Sequence, residues 1–295
     1  MIAHLRRLSP RADRSIILLA IGAASAAVCH VHGAGMNDAS TNPSTPAVVF
    51  LHGIGGSARI WAPQIASFAA AGFRPVALDM LGYGAREPVD RMDFDTLAAD
   101  VETQIKHYRL DHPIIVGHSM GGLLAQTLLR RGPRAYRAAV LSCTSPAFGD
   151  RSGEFQKKFV ADRLGPLDAG RTMAELAPAM VASVTGPAPD PVGRRLAIDT
   201  IAATSERSYR AAVHCLVNFD ERANLACITV PVLCLAGEHD RLAPPAMMER
   251  MAARIPGARY VCLKGVGHLP NIEAAQAFDG AVLDFLRAAL ASAAA

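Results

Sequence analysis

The sequence is poor in aromatic side chains, which make up 5% of its 295 residues, and it has one tryptophan. Because 51% of the residues are hydrophobic, its core must be built mainly from Ala, Val, Leu and Ile. It also lacks a basic stripe with interleaved aromatics, so nucleic acid is not an expected partner. Four arginines against one aspartate in residues 1–35 account for +3 of the net charge of +4. The rest of the chain is therefore nearly neutral.

Metal and nucleotide signatures are absent as well. The six cysteines form no C-x-x-C pair and have no metal-ligand spacing, and they stand at positions 29, 143, 215, 227, 234 and 262. No G-x-x-x-x-G-K-[ST] or G-x-G-x-x-G motif occurs, which argues against a nucleotide site. Three of the cysteines lie in apolar, strand-like runs. This favours small buried hydrophobes and mildly favours a reducing compartment.

The N-terminal 35 residues have two interpretations. An Arg-rich stretch at 1–14, an apolar run at 16–28 and small residues after it have the layout of a secretory signal peptide. The apolar run is too short to predict a membrane span. Alternatively, Met36 is the true start, because a polar, Pro-containing lead-in follows it and the remaining cysteines look unpaired. The second interpretation, which we favour, predicts a cytoplasmic protein, and the first predicts an exported one.

From residue 47 onward, short apolar runs alternate with segments of helical spacing. The apolar runs predict strands at 47–52, 73–78, 114–116, 138–142, 230–235 and 259–263. The segments between and after them predict helices at 60–71, 94–108, 123–131, 245–255 and about 273–290. Continuous apolar strands that alternate with helices predict a parallel sheet covered on both faces.

The alternation stops between residues 148 and 226. Four short helical stretches are predicted there, at 154–164, 171–184, 193–203 and 208–217. Breaks are predicted at Gly165-Pro166 and at 186–191. The pattern therefore predicts a helical insertion above the sheet.

The segment Gly117-His118-Ser119-Met120-Gly121 lies between a predicted strand and a predicted helix. In this context a G-x-S-x-G motif indicates a sharp turn that raises the serine hydroxyl above the sheet. The serine must adopt a strained backbone conformation, and the flanking glycines permit a close approach of strand and helix. The start of the helix also leaves N–H groups and the positive dipole end nearby. Ser119 is therefore the candidate nucleophile.

A nucleophilic serine needs a base and an orienting carboxylate, which follow it on this type of sheet in the order acid, then histidine. His268 is the only histidine beyond the last two predicted strands, and glycines precede it, so it is the candidate base. His52 and His118 are predicted to bond to the main chain instead. Asp240 is the candidate acid because its loop follows a buried strand directly, and Glu238 in the same loop is the runner-up.

The negatively charged oxygen formed during acyl transfer needs hydrogen-bond donors. The backbone N–H of Met120 is one candidate. The second is the N–H of Ile54, in the glycine-rich loop that follows the first strand. Trp61, just after that loop, is predicted to pack in the core rather than to stack on substrate.

With these motifs in place, the chain resembles the α/β-hydrolase superfamily from about residue 47 to 290. The marks of the resemblance are His52-Gly53-Ile54-Gly55-Gly56, Asp79 with Gly82-Tyr83-Gly84, Gly117-His118-Ser119-Met120-Gly121-Gly122, Gly237-Glu238-His239-Asp240 and Gly267-His268. The resemblance implies the α/β-hydrolase fold, with a mostly parallel central sheet flanked by helices. Residues 36–147 and 227–295 would form the core, and residues 148–226 a helical cap. It also implies an acyl-enzyme mechanism on a small-molecule substrate, with no metal and no organic cofactor.

Within the superfamily, the chain looks most like the 3-oxoadipate enol-lactonase and carboxylesterase branch, which implies cleavage of an ester or lactone in aromatic catabolism. The marks are Leu141-Ser142-Cys143-Thr144-Ser145 and Asp240-Arg241-Leu242-Ala243-Pro244. Two departures stand against this branch. The cap has no tryptophan for the substrate, and residues 36–46 are too short and polar for the usual opening strand hairpin. The chain either lacks that hairpin or forms it from part of residues 15–35.

Two other functions remain open at this point. A C–C bond hydrolase of aromatic ring-cleavage products uses the same triad, and a receptor can keep the triad while only binding a ligand. The cap offers four arginines that could pair with a substrate carboxylate, although a solvated surface role is expected for each: Arg194, Arg195, Arg207 and Arg210.

Overall fold

A computed structural model describes residues 45–149 and 152–294, with side chains as far as residue 291. The predictions for residues 1–35, for a start at Met36 and for an opening hairpin lie outside this range. Within the described ranges, no helix is both long and apolar enough to cross a membrane.

In the part of the chain that the structure describes, six strands form one sheet in which every neighbouring pair is parallel. They are β1 (Ala47–Leu51), β2 (Arg74–Leu78), β3 (Ile114–His118), β4 (Ala139–Ser142), β5 (Val232–Gly237) and β6 (Arg259–Leu263). The order across the sheet is β2-β1-β3-β4-β5-β6, so β3 pairs with β1 and β4. Strands β1, β3, β4 and β5 are buried along their whole length, as expected for strands covered on both faces. The predicted parallel sheet is confirmed.

Ten α-helices cover and extend the sheet within the described ranges. They are α1 (Ala62–Ala70), α2 (Phe94–His107), α3 (Met120–Arg131), α4 (Glu154–Asp168), α5 (Met173–Val184), α6 (Pro191–Ala202), α7 (Glu206–Leu216), α8 (Pro245–Ala252), α9 (Pro270–Glu273) and α10 (Ala275–Ala294). Local chemistry sets several of their starts. The Asp93 side chain caps α2, and Thr172 and Glu175 form a reciprocal capping box at the start of α5.

The predicted helix break at Gly165-Pro166 is wrong, because α4 continues to Asp168. Pro166 stands in the last turn of the helix, so the N–H that it lacks removes only one bond close to the end. Leu164 and Leu167 on either side of the dipeptide are buried and anchor this turn. The C-terminal helix predicted from about 273 to 290 is confirmed as α10, and the short helix α9, which was not predicted, precedes it.

Alternate residues of the strands point into two separate apolar layers. Val49 and Leu51 face the layer formed with α2, α3 and α8. Val48 and Phe50 face the layer formed with α1 and α10. Trp61 is fully buried in the second layer, with its ring 5.0 Å from that of Phe50, so its predicted packing role is confirmed.

Helices α4 to α7 lie between β4 and β5 in the chain and share a third apolar cluster. Its buried members are Leu164, Leu167, Met173, Leu176, Tyr209 and Val213. Ile54, from the glycine-rich loop after β1, packs against this cluster as well. The helical segment therefore has its own apolar cluster, and it also packs into both layers of the sheet, through Ala212 in the first and Val181 in the second.

The turn from β3 into α3 brings backbone atoms into close contact. A Cβ atom at Gly117 would lie 2.3 Å from the carbonyl oxygen of Gly121, and one at Gly121 would lie 2.2 Å from the carbonyl oxygen of Leu51. These partners are main-chain atoms of the sheet and helix, which cannot rotate away. Only glycine fits at either position.

The close contact at Gly121 leads to a stability prediction. Gly121→Ala should lower the free energy of unfolding by about 3 kcal/mol, because overpacking forces the backbone to shift. Gly280→Ala is the matched control, since Gly280 lies exposed in α10 with no atom near its Cβ position. The control should gain about 0.5–1 kcal/mol from helix propensity. Urea unfolding measures both, and equal stability of the two variants would contradict the packing argument.

Candidate active site

Three predicted side chains meet at the carboxyl ends of the strands. His268 Nε2 lies 2.9 Å from Ser119 Oγ, and His268 Nδ1 lies 2.8 Å from Asp240 Oδ2. The Asp240 and His268 side chains are buried, while Ser119 is partly accessible. An ionised carboxylate only accepts, so Nδ1 carries the ring proton and Nε2 is free to accept from the serine hydroxyl.

The backbone of Ser119 is held in a conformation that side chains rarely adopt. Its φ is 53° and its ψ is −117°. The Ser119 N–H donates to the Ser142 carbonyl oxygen at 2.9 Å, and the Thr144 hydroxyl donates to the Ser119 carbonyl oxygen at 2.9 Å. Both partners come from the end of β4 and the loop after it. The strained turn is therefore fixed by the neighbouring strand.

Asp240 is held at both oxygens. Its Oδ1 accepts from the N–H groups of Leu242 and Ala243 at 2.8 and 3.0 Å, while Oδ2 faces His268. Burial alone would raise the pKa of Asp240, but the nearby His268 charge and these hydrogen bonds outweigh it and lower that pKa to about 2. The carboxylate is therefore ionised at neutral pH and fixed in one orientation.

Glu238, the runner-up for the acid, points to the surface. One of its oxygens lies 2.8 Å from Lys264 Nζ, and the other accepts from the Gly265 N–H at 2.9 Å. It is exposed, and within the described part of the chain its hydrogen bonds go to Lys264 and Gly265 and not to His268. The structure thus brings Asp240, and not Glu238, to the histidine.

The two predicted backbone donors flank Ser119. Met120 begins α3 directly after it, and Ile54 follows Gly53, whose Cβ position is 3.1 Å from Ser119 Cβ. Within residues 45–149 and 152–294, nothing accepts a hydrogen bond from the N–H of Ile54 or of Met120. Both donors are available to a ligand, and their role stays a prediction.

His52 and His118 bond to the main chain, as predicted. His52 Nδ1 lies 2.8 Å from the Gly53 carbonyl oxygen, and its Nε2 accepts from the Met80 N–H at 3.2 Å. His118 Nε2 donates to the His268 carbonyl oxygen at 2.6 Å. One imidazole therefore holds the glycine-rich loop, and the other holds the backbone of the histidine at the site.

Cys143 lies next to Asp240 and His268, although its sequence pattern predicts only a small buried side chain. Its Sγ lies within 4.8 Å of a carboxylate oxygen of Asp240 and a ring nitrogen of His268. Burial, with the Asp240 charge second, raises the pKa of this thiol, so it is neutral and a poor metal ligand. Cys143 directly follows β4, and the strand-end rule that found Asp240 would have found it too.

The four arginines considered for a substrate carboxylate lie at the surface of the helical segment, which is the role expected for them. Arg195, Arg207 and Arg210 each form ion pairs with nearby carboxylates, and Arg194 is exposed. A pair already formed would have to break before a substrate could bind there.

Two surface pockets lie beside α3 and away from the serine. One has a volume of about 80 Å³ and is bordered by Gln126 and Leu225. The other, of about 420 Å³, is bordered by Phe94 and Asn218, and Glu221 lines both. Neither includes the three hydrogen-bonded side chains, and the site is identified by its hydrogen-bond geometry.

A parallel sheet that presents a serine, a histidine and a buried carboxylate at its carboxyl ends has the layout used by nucleophilic hydrolases. A family model described as the alpha/beta hydrolase fold matches residues 46–275. The chain therefore belongs to the α/β-hydrolase fold family, which indicates a hydrolytic enzyme. The predicted fold class and superfamily are confirmed.

Named relatives span several activities. The 3-oxoadipate enol-lactonase 2 of Acinetobacter baylyi is 27% identical over 240 residues, which cover 80% of this chain and 87% of that protein. The enol-lactonase structure from Burkholderia xenovorans LB400 has 28% identity and a TM-score of 0.73, covering 82% of this chain and 92% of its own. A bromoperoxidase structure from Bacillus anthracis has 20% identity and a TM-score of 0.75, covering 83% and 92%, and is similar in fold alone.

The buried His118 makes stability sensitive to acid. Burial first, and then the His268 charge, lowers the pKa of His118 from 6.5 to about 3. Below pH 6.5 the unfolded chain binds a proton that the folded protein does not. The stabilisation is therefore complete above that pH and falls by about 1.4 kcal/mol per pH unit as the pH decreases towards 3.

His118→Gln should remove this sensitivity while its amide still donates to the His268 carbonyl. Between pH 7 and pH 5, urea unfolding should show a loss about 2 kcal/mol smaller in this variant than in the wild type. His239→Gln, at an exposed histidine, is the control and should behave like the wild type. An unchanged pH dependence in His118→Gln would exclude a neutral buried imidazole.

Proposed function

We propose that the protein is a serine hydrolase that cleaves a carboxylic ester or lactone through an acyl-enzyme intermediate. The observation that carries this proposal is the continuous hydrogen-bond chain from Ser119 through His268 to Asp240. In this chain, His268 Nε2 can accept the proton of the Ser119 hydroxyl, and Asp240 fixes the tautomer of His268. That combination is what activation of a serine requires.

In the proposed reaction, His268 Nε2 takes the proton of Ser119 as Oγ attacks the substrate carbonyl carbon. The N–H groups of Ile54 and Met120 hold the oxyanion, and one such donor contributes ~3 kcal/mol of transition-state stabilisation. Asp240 stabilises the imidazolium that forms. The same imidazolium then gives its proton to the leaving oxygen, after which His268 activates water to release the acid.

We further propose that residues 148–226 form a cap over this site, above a core of residues 36–147 and 227–295. The cap touches the loop that carries the Ile54 donor: side-chain atoms of Ile201 and Tyr209 lie 3.5 and 3.8 Å from the Cβ position of Gly55. These contacts support an apolar boundary for the acyl group. Together with the enol-lactonase relatives, they favour a small ester or lactone as the substrate.

Replacement of the serine tests the nucleophile. Ser119→Ala should lower kcat/KM for p-nitrophenyl acetate by about 10³-fold or more and abolish covalent labelling by a fluorophosphonate probe. Ser183→Ala, at an exposed serine of α5, should be labelled like the wild type. A panel of esters, lactones and vinylogous 1,5-diketones then ranks the substrates. Hydrolysis by Ser119→Ala at the wild-type rate would contradict the proposal, and preferred turnover of the diketones would indicate C–C cleavage.

A pair of substitutions distinguishes Asp240 from Glu238 as the carboxylate that orients His268. Asp240→Asn should reduce kcat by about 10⁴-fold, because an amide can donate to Nδ1 and so favours the wrong tautomer. Glu238→Gln should change kcat by less than about threefold, since it loses only surface contacts to Lys264 and Gly265. Steady-state kinetics with p-nitrophenyl acetate measure kcat of both variants. A larger loss in Glu238→Gln would reverse the assignment of the acid.

A further inference from the structure

A second buried carboxylate, Glu273, lies beside the histidine without touching its ring. It is the last residue of α9 and is 6% exposed. Its Oε2 accepts from the N–H groups of Gly186 and Gly267 at 2.6 and 2.9 Å, and its Oε1 accepts from the Leu269 N–H at 2.8 Å. Gly267 and Leu269 are the two neighbours of His268 in the chain. One carboxylate thus holds the backbone on both sides of the histidine.

The third donor belongs to the linker between α5 and α6, which packs directly on the histidine loop. The His268 N–H donates to the Val184 carbonyl oxygen at 2.8 Å. A Cβ atom at Gly186 would lie 2.4 Å from the Gly265 carbonyl oxygen, and one at Gly267 would lie 2.5 Å from the Gly186 nitrogen. The backbone of the α5–α6 linker therefore lies directly against the backbone of the His268 loop, and Glu273 bonds to both segments.

We propose that Glu273 is a positioning residue, which fixes the His268 loop against the α5–α6 linker so that Nε2 stays within hydrogen-bond distance of Ser119. This inference rests on the proposed function. Hydrogen bonds to an ionised carboxylate are roughly twice as strong as neutral ones, so three of them order this loop. A displacement of about 1 Å at a reacting group costs about 10²-fold in rate.

Glutamine cannot replace this carboxylate. Its amide offers one acceptor oxygen and one NH₂ group, whereas donors face both oxygens of Glu273. In Glu273→Gln the NH₂ group must face an N–H group that has no other acceptor. The side-chain volume stays the same, so the change removes the bonding and not the packing.

Asp279 provides the matched control for a purely structural role. It is also a buried acid, 8% exposed on α10, and it accepts from Gln64 Nε2 at 3.0 Å. Burial raises its pKa. Among the described residues, Asp279 forms no hydrogen bond to residues 265–269. Its partner Gln64 also donates to the Asn271 carbonyl oxygen of α9 at 2.9 Å, so Asp279→Asn perturbs a buried carboxylate that contacts α9 only through Gln64.

The experiment compares Glu273→Gln with Asp279→Asn at a temperature where circular dichroism shows both fully folded. For Glu273→Gln, kcat for p-nitrophenyl acetate and the rate of fluorophosphonate labelling should both fall about 10- to 100-fold, with KM within about threefold. Asp279→Asn should keep kcat, the labelling rate and KM within about threefold of the wild type, even if its Tm falls as much as that of Glu273→Gln. If Glu273→Gln does not fold, Glu273→Asp takes its place, since it keeps the charge but is one methylene shorter. It should show the same fall in kcat and in labelling rate, with KM within about threefold.

Either of two results would overturn the positioning role. One is a Glu273→Gln enzyme with wild-type kcat and labelling rate, and the other is an equal loss in Asp279→Asn. A wild-type protein that the probe does not label would instead contradict the proposed function itself. The two failures are therefore distinguishable.

Discussion

The site depends on one tight turn, in which the chain leaves β3 and enters α3 with no room for a side chain at Gly117 or Gly121. The Cβ position of Gly121 lies 2.2 Å from a carbonyl oxygen of β1, so helix and sheet are in backbone contact. The strain at Ser119 persists because β1 and β4 pair with β3 on both sides. The stable sheet thus holds the serine where His268 can reach it.

Much of this arrangement could be predicted because it follows from short-range rules. Continuous apolar strands that alternate with helices predict a parallel sheet, and the carboxyl ends of parallel strands lie at the same edge of that sheet. Those rules led from the chain order to Ser119, Asp240 and His268, which the structure brings into hydrogen-bond contact. Chain order alone could not choose between Asp240 and Glu238, because only His239 separates them. The choice depends on which carboxylate turns inward to meet the N–H groups of the following turn.

Other features could not be predicted because they depend on contacts between distant segments. Glu273 bonds to Gly186, 87 positions away in the chain, and nothing in the local sequence indicates that pairing. The turn at Gly165-Pro166 stays helical because buried leucines on both sides anchor it, which overrides the local tendency to break. The substrate is the hardest case, since the proposed cap of residues 148–226 has no sequence motif that indicates what it binds.

The central claim is that Ser119 becomes covalently acylated, and a slowly released acyl group tests it most directly. After incubation with p-nitrophenyl dimethylcarbamate, the account predicts one p-nitrophenolate released per protein molecule. Peptide mass spectrometry should then find one carbamoyl group, on Ser119. Stoichiometric carbamoylation of any other residue, or ester hydrolysis with Ser119 left unmodified under these conditions, would contradict the account.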